Sequence, residues 1–215
     1  MIKKTIISLS TIVMLSACSM LGSLGGNVPT ELQQSNDALV KNYISATTHV
    51  LQGQKEIAAA LDIKENFVDD LERQIESLKS GNLTTGDIEK NITLSEAVNA
   101  DLTKRLSEQQ ILSKESKLQA TKGLIEYSMG VLFTSRLAKE STNFISTTQK
   151  VLETASVTDK AAIINNLEVG TAIAKETPTL AKDLVDTGNK FISFAKSANV
   201  STTEAQNNMS EAAGF

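Results

Sequence analysis

Two interleaved heptad series constrain this chain more than any other feature. One runs Val40, Thr47, Gln54, Leu61, Val68, Ile75; the other runs Tyr43, Val50, Ile57, Lys64, Leu71, Leu78; nine of these twelve positions are apolar. Their alternating spacing of three and four lays a single stripe along one helix face. The pattern predicts a helix over residues 31–79. Thr30, after Pro29, is its expected cap, Gly53 its expected bend, and Ser80-Gly81-Asn82 its stop, because Gly and Asn accept the left-handed conformation that ends helices.

A second helical pattern follows Thr84-Thr85-Gly86, with Ile88, Ile92, Leu102 and Leu106 on its buried side. No Gly or Pro occurs from 87 to 122, and the run Ile111, Leu118, Ile125, Leu132 keeps heptad spacing. Two readings therefore stand: a boundary near 112–116, where Ser, Lys and Glu cluster, with a third helix to about Thr154, or one helix over 87–153. Ser156-Val157-Thr158-Asp159 punctuates again, and Thr158 or Asp159 is the expected cap of a last long helix. Pro178 is expected to divide that helix, because proline lacks the backbone donor and clashes with the preceding turn. Leu180, Leu184, Phe191 and Phe194 with Ala195 continue an apolar face beyond it. From Val200 the chain turns polar and small, and residues 201–215 are expected to fray or form short helix.

Composition agrees with helices. Of 215 residues 40% are hydrophobic, enough for a sizeable core, yet only 4% are aromatic, and Gly and Pro number 11 and 2, a poor supply for a β-sandwich. The expectation is an all-α, elongated bundle of about four long helices with coiled-coil-like packing over residues 30–200. With 21 basic against 25 acidic side chains, nothing suggests a nucleic-acid-binding face.

The amino end reads MIKKTIISLSTIVMLSAC: Lys3 and Lys4, an apolar run from 6 to 15, then small residues. These are the three parts of a secretory signal, and the run of about ten residues is half of what a membrane-spanning helix needs. Leu15-Ser16-Ala17-Cys18 resembles the lipobox of bacterial lipoproteins, and the only Cys of the chain stands where that pattern requires it. The resemblance covers residues 1–18. It implies removal of the signal peptide 1–17, a diacylglyceryl group on the Cys18 thiol, and acylation of the new amine, which together hold a protein on a membrane. Ser19 after the Cys, rather than Asp, implies outer-membrane sorting with the body facing the periplasm, or the outer face of the cell membrane in a Gram-positive source. Residues 18–29, with three Gly, read as the tether between lipid and body.

Chemistry-bearing motifs are sparse. His49 is the sole histidine, with Ala46 and Ser45 at i−3 and i−4, so the Glu-x-x-His pairs of di-iron bundles do not form; a bundle surface or seam is its expected place. Ser193-Phe194-Ala195-Lys196 matches the Ser-x-x-Lys of penicillin-binding enzymes, but its companion Ser-Asp-Asn and Lys-Thr-Gly are absent. The dense apolar segment 123–133, with Gly123 and Gly130, reads as a buried helix centre whose glycines admit a close neighbour. Thr142, Ser146, Thr147 and Thr148 read as an exposed face, and Asp69–Arg73, Asp101–Arg105 and Asp186–Lys190 as solvated helix pairs. Phe215 lacks the alternating strand that precedes the terminal aromatic of outer-membrane barrels.

No catalytic residue, cofactor or metal is therefore expected, and Cys18 is the one assigned site. The expected function is non-catalytic: an interaction or assembly-support protein that meets a protein partner through its long heptad faces near the membrane. A carrier holding a lipid or other apolar ligand within the bundle is the second expectation, for which a formed cavity lined by Leu, Ile and Phe is the distinguishing feature.

Overall fold

The computed structural model describes residues 27–63, 65–108 and 112–215. Cys18 and residues 1–17, read above as a signal peptide, lie outside them. Among the described residues there are seven helices and no strand: α1 (Thr30–Ala60), α2 (Glu65–Lys79), α3 (Thr85–Glu108), α4 (Lys114–Thr154), α5 (Val157–Asn166), α6 (Glu168–Ser197) and α7 (Thr203–Ala212). The long helices α1, α4 and α6 pack together as a bundle. At 41 residues, α4 is about 60 Å long and sets the long axis.

Helix α1 and α4 run antiparallel and nearly touch at the backbone. A Cβ built on Gly53 would stand 2.6 Å from Tyr127 Cα; one on Gly123, 2.8 Å from the Ile57 nitrogen; one on Gly130, 2.6 Å from the Val50 nitrogen. No side chain fits at these three positions, which lets Val50, Ile57, Leu124, Tyr127 and Val131 interlock with almost no exposure. Segment 123–133 is thus the buried helix centre that its composition suggests. Gly170 faces Asn36 of α1 and Phe144 of α4, which places α6 parallel to α1 and against both helices. Helix α7 returns beside α4, joined by Asn208 Nδ2 donating to Ser128 Oγ at 3.0 Å and by the Arg136–Glu211 ion pair.

Two hydrophobic clusters fill the axis. One, around Leu51, Leu71, Leu102, Val131 and Phe191, occupies the part where α1 ends and α4 begins. The other, around Leu32, Tyr43, Leu137, Phe144, Ile163 and Ile173, occupies the amino-terminal pole, where α1 and α6 begin, α4 ends and α5 lies across.

Several boundaries differ from the sequence expectation. The helix expected over 31–79 is two. Its break is at Asp62, not Gly53: Ile63 N–H donates to Ala58 O at 3.1 Å and Asp62 N–H to Ala59 O at 3.2 Å, while Asp62 takes φ 54°. This is a Schellman closure. The heptad series runs through it in phase because α2 folds back along α1 and turns Leu71, Ile75 and Leu78 into the same core. Thr30 is not the cap of α1; Pro29 holds that place without a side-chain hydrogen bond. Pro178 does not divide α6, which continues through it. The expected last long helix is preceded by the separate ten-residue α5, capped by Ser156, whose Oγ accepts from Asp159 N–H at 3.2 Å. For residues 201–215 the short-helix alternative is the observed one, and α7 goes further than expected by burying Ala205, Met209 and Ala212 against the bundle. Of the two readings of 87–153, two helices is the observed one, with Ser113 capping α4.

Candidate functional site

Cys18, the one assigned site residue, lies outside the described residues. The weaker candidates do not assemble into a reactive centre. His49 Nδ1 stands 2.7 Å from Glu126 Oε2 across the α1–α4 seam and meets the Phe133 ring edge-on, both partners half-buried. Among the described residues no three His, Cys, Asp or Glu side chains gather as a metal ion requires. Ser193 and Lys196 are both exposed on the outer side of α6. Of the charge pairs, Asp101–Arg105 forms at 2.7 Å, whereas Arg73 pairs with Asp70 rather than Asp69.

The heptad face of α1 is consumed by the fold itself: Tyr43, Thr47, Val50, Gln54 and Ile57 are all buried inside the bundle. Open grooves lie along α6. Between α4 and α6 runs a groove of about 560 Å³ with Ala138, Pro178, Ala181 and Val185 along its apolar floor and Thr142 at its rim. Phe215 closes one end at 52% exposure, with Arg136 Cζ and Lys139 Nζ each 5.8 Å from its ring centre. Arg136 is committed to Glu211, and Lys139, Lys182 and Asp186 line the groove beside Phe215. Of the hydroxyl run, Thr142, Ser146 and Thr147 are exposed as expected, and Thr148 is half-buried. Phe215 has a place here that has nothing to do with a strand.

A second feature went unread in the sequence. Helix α3 meets α1 along a polar seam, where Gln54 Nε2 faces Ser95 O at 2.9 Å, Ser95 Oγ at 3.0 Å and Asn99 Oδ1 at 2.8 Å. Farther along, the Tyr43 hydroxyl points to Ile88 O at 3.5 Å, and Asn91 is fully buried without a direct hydrogen bond of its own. Burial pushes the Tyr43 phenol well above its ordinary pKa, with Thr47 and Asn91 opposing in part, and burial does the same to Tyr127. Beside Asn91 lies a void of about 10 Å³, room for about one water. Polar Gln54 and Thr47 at heptad positions carried the signal, and Asn91, Ser95 and Asn99 answer it at helical spacing.

An apolar void bordered by Ile57, Leu112, Leu124 and Phe191 also measures about 10 Å³, too small for an acyl chain. Comparison with protein-family models, with curated proteins and with solved structures found no match.

Proposed function

We propose that this protein is a non-catalytic interaction or assembly-support module. Acylated Cys18 holds it on the periplasmic side of an outer membrane, or on the outer face of the cell membrane in a Gram-positive cell, and the α4–α6 groove receives a segment of a partner protein. The anchor rests on the lipobox. The groove is the observation that carries the binding role: an open cleft of about 560 Å³ with an apolar floor and a half-exposed aromatic. Such a cleft fits a short helical or extended segment bearing apolar side chains. The heptad face of α1, spent on internal packing, does not serve.

The test places a photo-cross-linking residue at Thr142 or Lys182 of the membrane-bound protein and identifies the product by mass spectrometry. One defined protein, captured from these positions but not from Asp69 on α2, and lost in a Phe215→Ala, Lys139→Glu variant of unchanged melting temperature, is the expected result. Equal capture from Asp69, or capture indifferent to the two substitutions, contradicts it.

The carrier reading keeps one supporting observation. Leu106, Phe191 and Phe194 border both the small apolar void and an outer groove of about 570 Å³ between α3 and α6, so separation of α3 would join the two. Stoichiometric lipid in the purified protein, detected by mass spectrometry, would favour that reading.

A further inference from the structure

We infer that the outer face of α5 rests on the lipid surface, with Val157, Ala161 and Ile164 entering the interfacial layer. The inference depends on the reading of Cys18 as acylated. Helix α5 buries Ala162 and Ile163 in the bundle, yet its other side is apolar too: Val157 is 86% exposed, Ile164 is 58% exposed, and Ala161 lies between them on the same stripe at spacings of four and three. Four large apolar side chains are strongly exposed among the described residues, and two of them are here. Of the others, Phe215 lies near two cations and Leu118 sits in the first turns of α4, about 54 Å of helix away from its end at Thr154. A helix that is apolar on both sides needs two covers, and the bundle supplies one.

The path of the chain identifies the other cover. The described residues begin at Asn27, whose N–H donates to Asp159 Oδ1 of α5 at 2.9 Å, and Val28 packs against the cluster beneath. The segment that leads to the lipid is therefore fastened to α5 itself. Nine residues separate Cys18 from Asn27, a reach of at most about 32 Å. So short a link holds the stripe against the membrane at an effective concentration on the order of millimolar, where a weak apolar contact is occupied. Electrostatics contribute no attraction to anionic lipid, because the helix ends that meet at this pole carry Lys150 and Lys160 but also Glu31, Glu153, Asp159 and Glu168. Contact through apolar insertion is insensitive to salt. A second copy is a poor occupant, since Val, Ala and Ile offer far less than the roughly 800 Å² per partner of a stable interface.

The chain has no Trp, so a single introduced one reports its own surroundings. Acylated protein carrying Ile164→Trp or Leu118→Trp is reconstituted in vesicles of phosphatidylethanolamine and phosphatidylglycerol, with and without brominated chains, after the acyl mass on Cys18 is verified. Emission from position 164 should be blue-shifted and quenched by brominated lipid, unchanged by added salt, while position 118 stays as in water. A blue shift at 164 without bromine quenching overturns the inference in favour of a protein cover, and water-like emission at both positions overturns it outright. Absence of the acyl mass overturns the anchor reading and this inference with it.

Discussion

At Gly53, Gly123 and Gly130 the missing side chain is what permits the axis of the molecule, so the smallest possible addition tests it. Gly53→Ala should destabilise by about 1–3 kcal/mol in urea unfolding, because the new methyl meets the Tyr127 backbone rather than a movable side chain. Gly86→Ala, where only Thr84 Oγ1 lies within reach at 3.8 Å, should be neutral or stabilising by about 0.4–1 kcal/mol. Similar losses at both sites would contradict the close α1–α4 contact. Asp159 offers a pH-dependent counterpart. Its carboxylate accepts from the Ser156 hydroxyl at 2.6 Å and from Asn27 N–H, and these bonds hold its pKa below the usual value, the Ser156 bond most. A depressed folded pKa means the contribution is complete above the unfolded value and is lost as pH falls through the folded one. The Asn27 amide should therefore stay protected from hydrogen exchange at neutral pH and lose protection only below the ordinary carboxylate range. Protection that instead fades as pH rises towards neutral, beyond the general acceleration of exchange, would contradict the bond. The sequence marked Gly123 and Gly130 as sites of close approach, whereas the same role at Gly53 was not legible, because a glycine that makes room and a glycine that bends a helix look alike without the partner.

Among the elements, α3 meets α1 through a buried polar cluster centred on Gln54. Gln54→Leu would leave Asn99 Oδ1 buried without its donor, at a cost of about 1–3 kcal/mol, while the Ser95 carbonyl keeps its place in the α3 ladder. The loss should be local: amides of α3 exchange faster, while those of the α1–α4 contact change little. Uniform acceleration across all helices would contradict a separable α3. Pro178 gives the opposite sign. It withholds a donor from the Ala174 carbonyl inside a continuous helix, so Pro178→Ala should stabilise by about 1–3 kcal/mol and leave helix content unchanged by circular dichroism. Helix type was legible because periodicity reports which face is buried. Helix ends were less so. The break at Asp62 left the heptad phase undisturbed, and α6 tolerates Pro178 because burial of Ile173, Thr177, Leu180 and Ala181 around it holds the helix together.

For the whole molecule, the bundle class could be read from the chain, whereas the open surface could not, since a heptad stripe does not say whether a partner or the protein itself will cover it. Here α4 covers α1, and the exposed surface includes the α4–α6 groove, assembled from distant segments, and the α5 stripe, whose exposure depends on which of its sides the bundle covers. The chain path gives the molecule a polarity: Asn27, α5 and the exposed stripe share one pole, and the α6–α7 turn and the first turn of α4 lie towards the other. Both the proposed location and the proposed lipid contact of α5 hang on the acylation of Cys18. Mass spectrometry of the intact protein extracted from membranes, with fragmentation of its amino terminus, tests this most directly. The account predicts a chain beginning at Cys18 and bearing diacylglyceryl and acyl groups; a chain that begins elsewhere, or an unmodified Cys18, would contradict it.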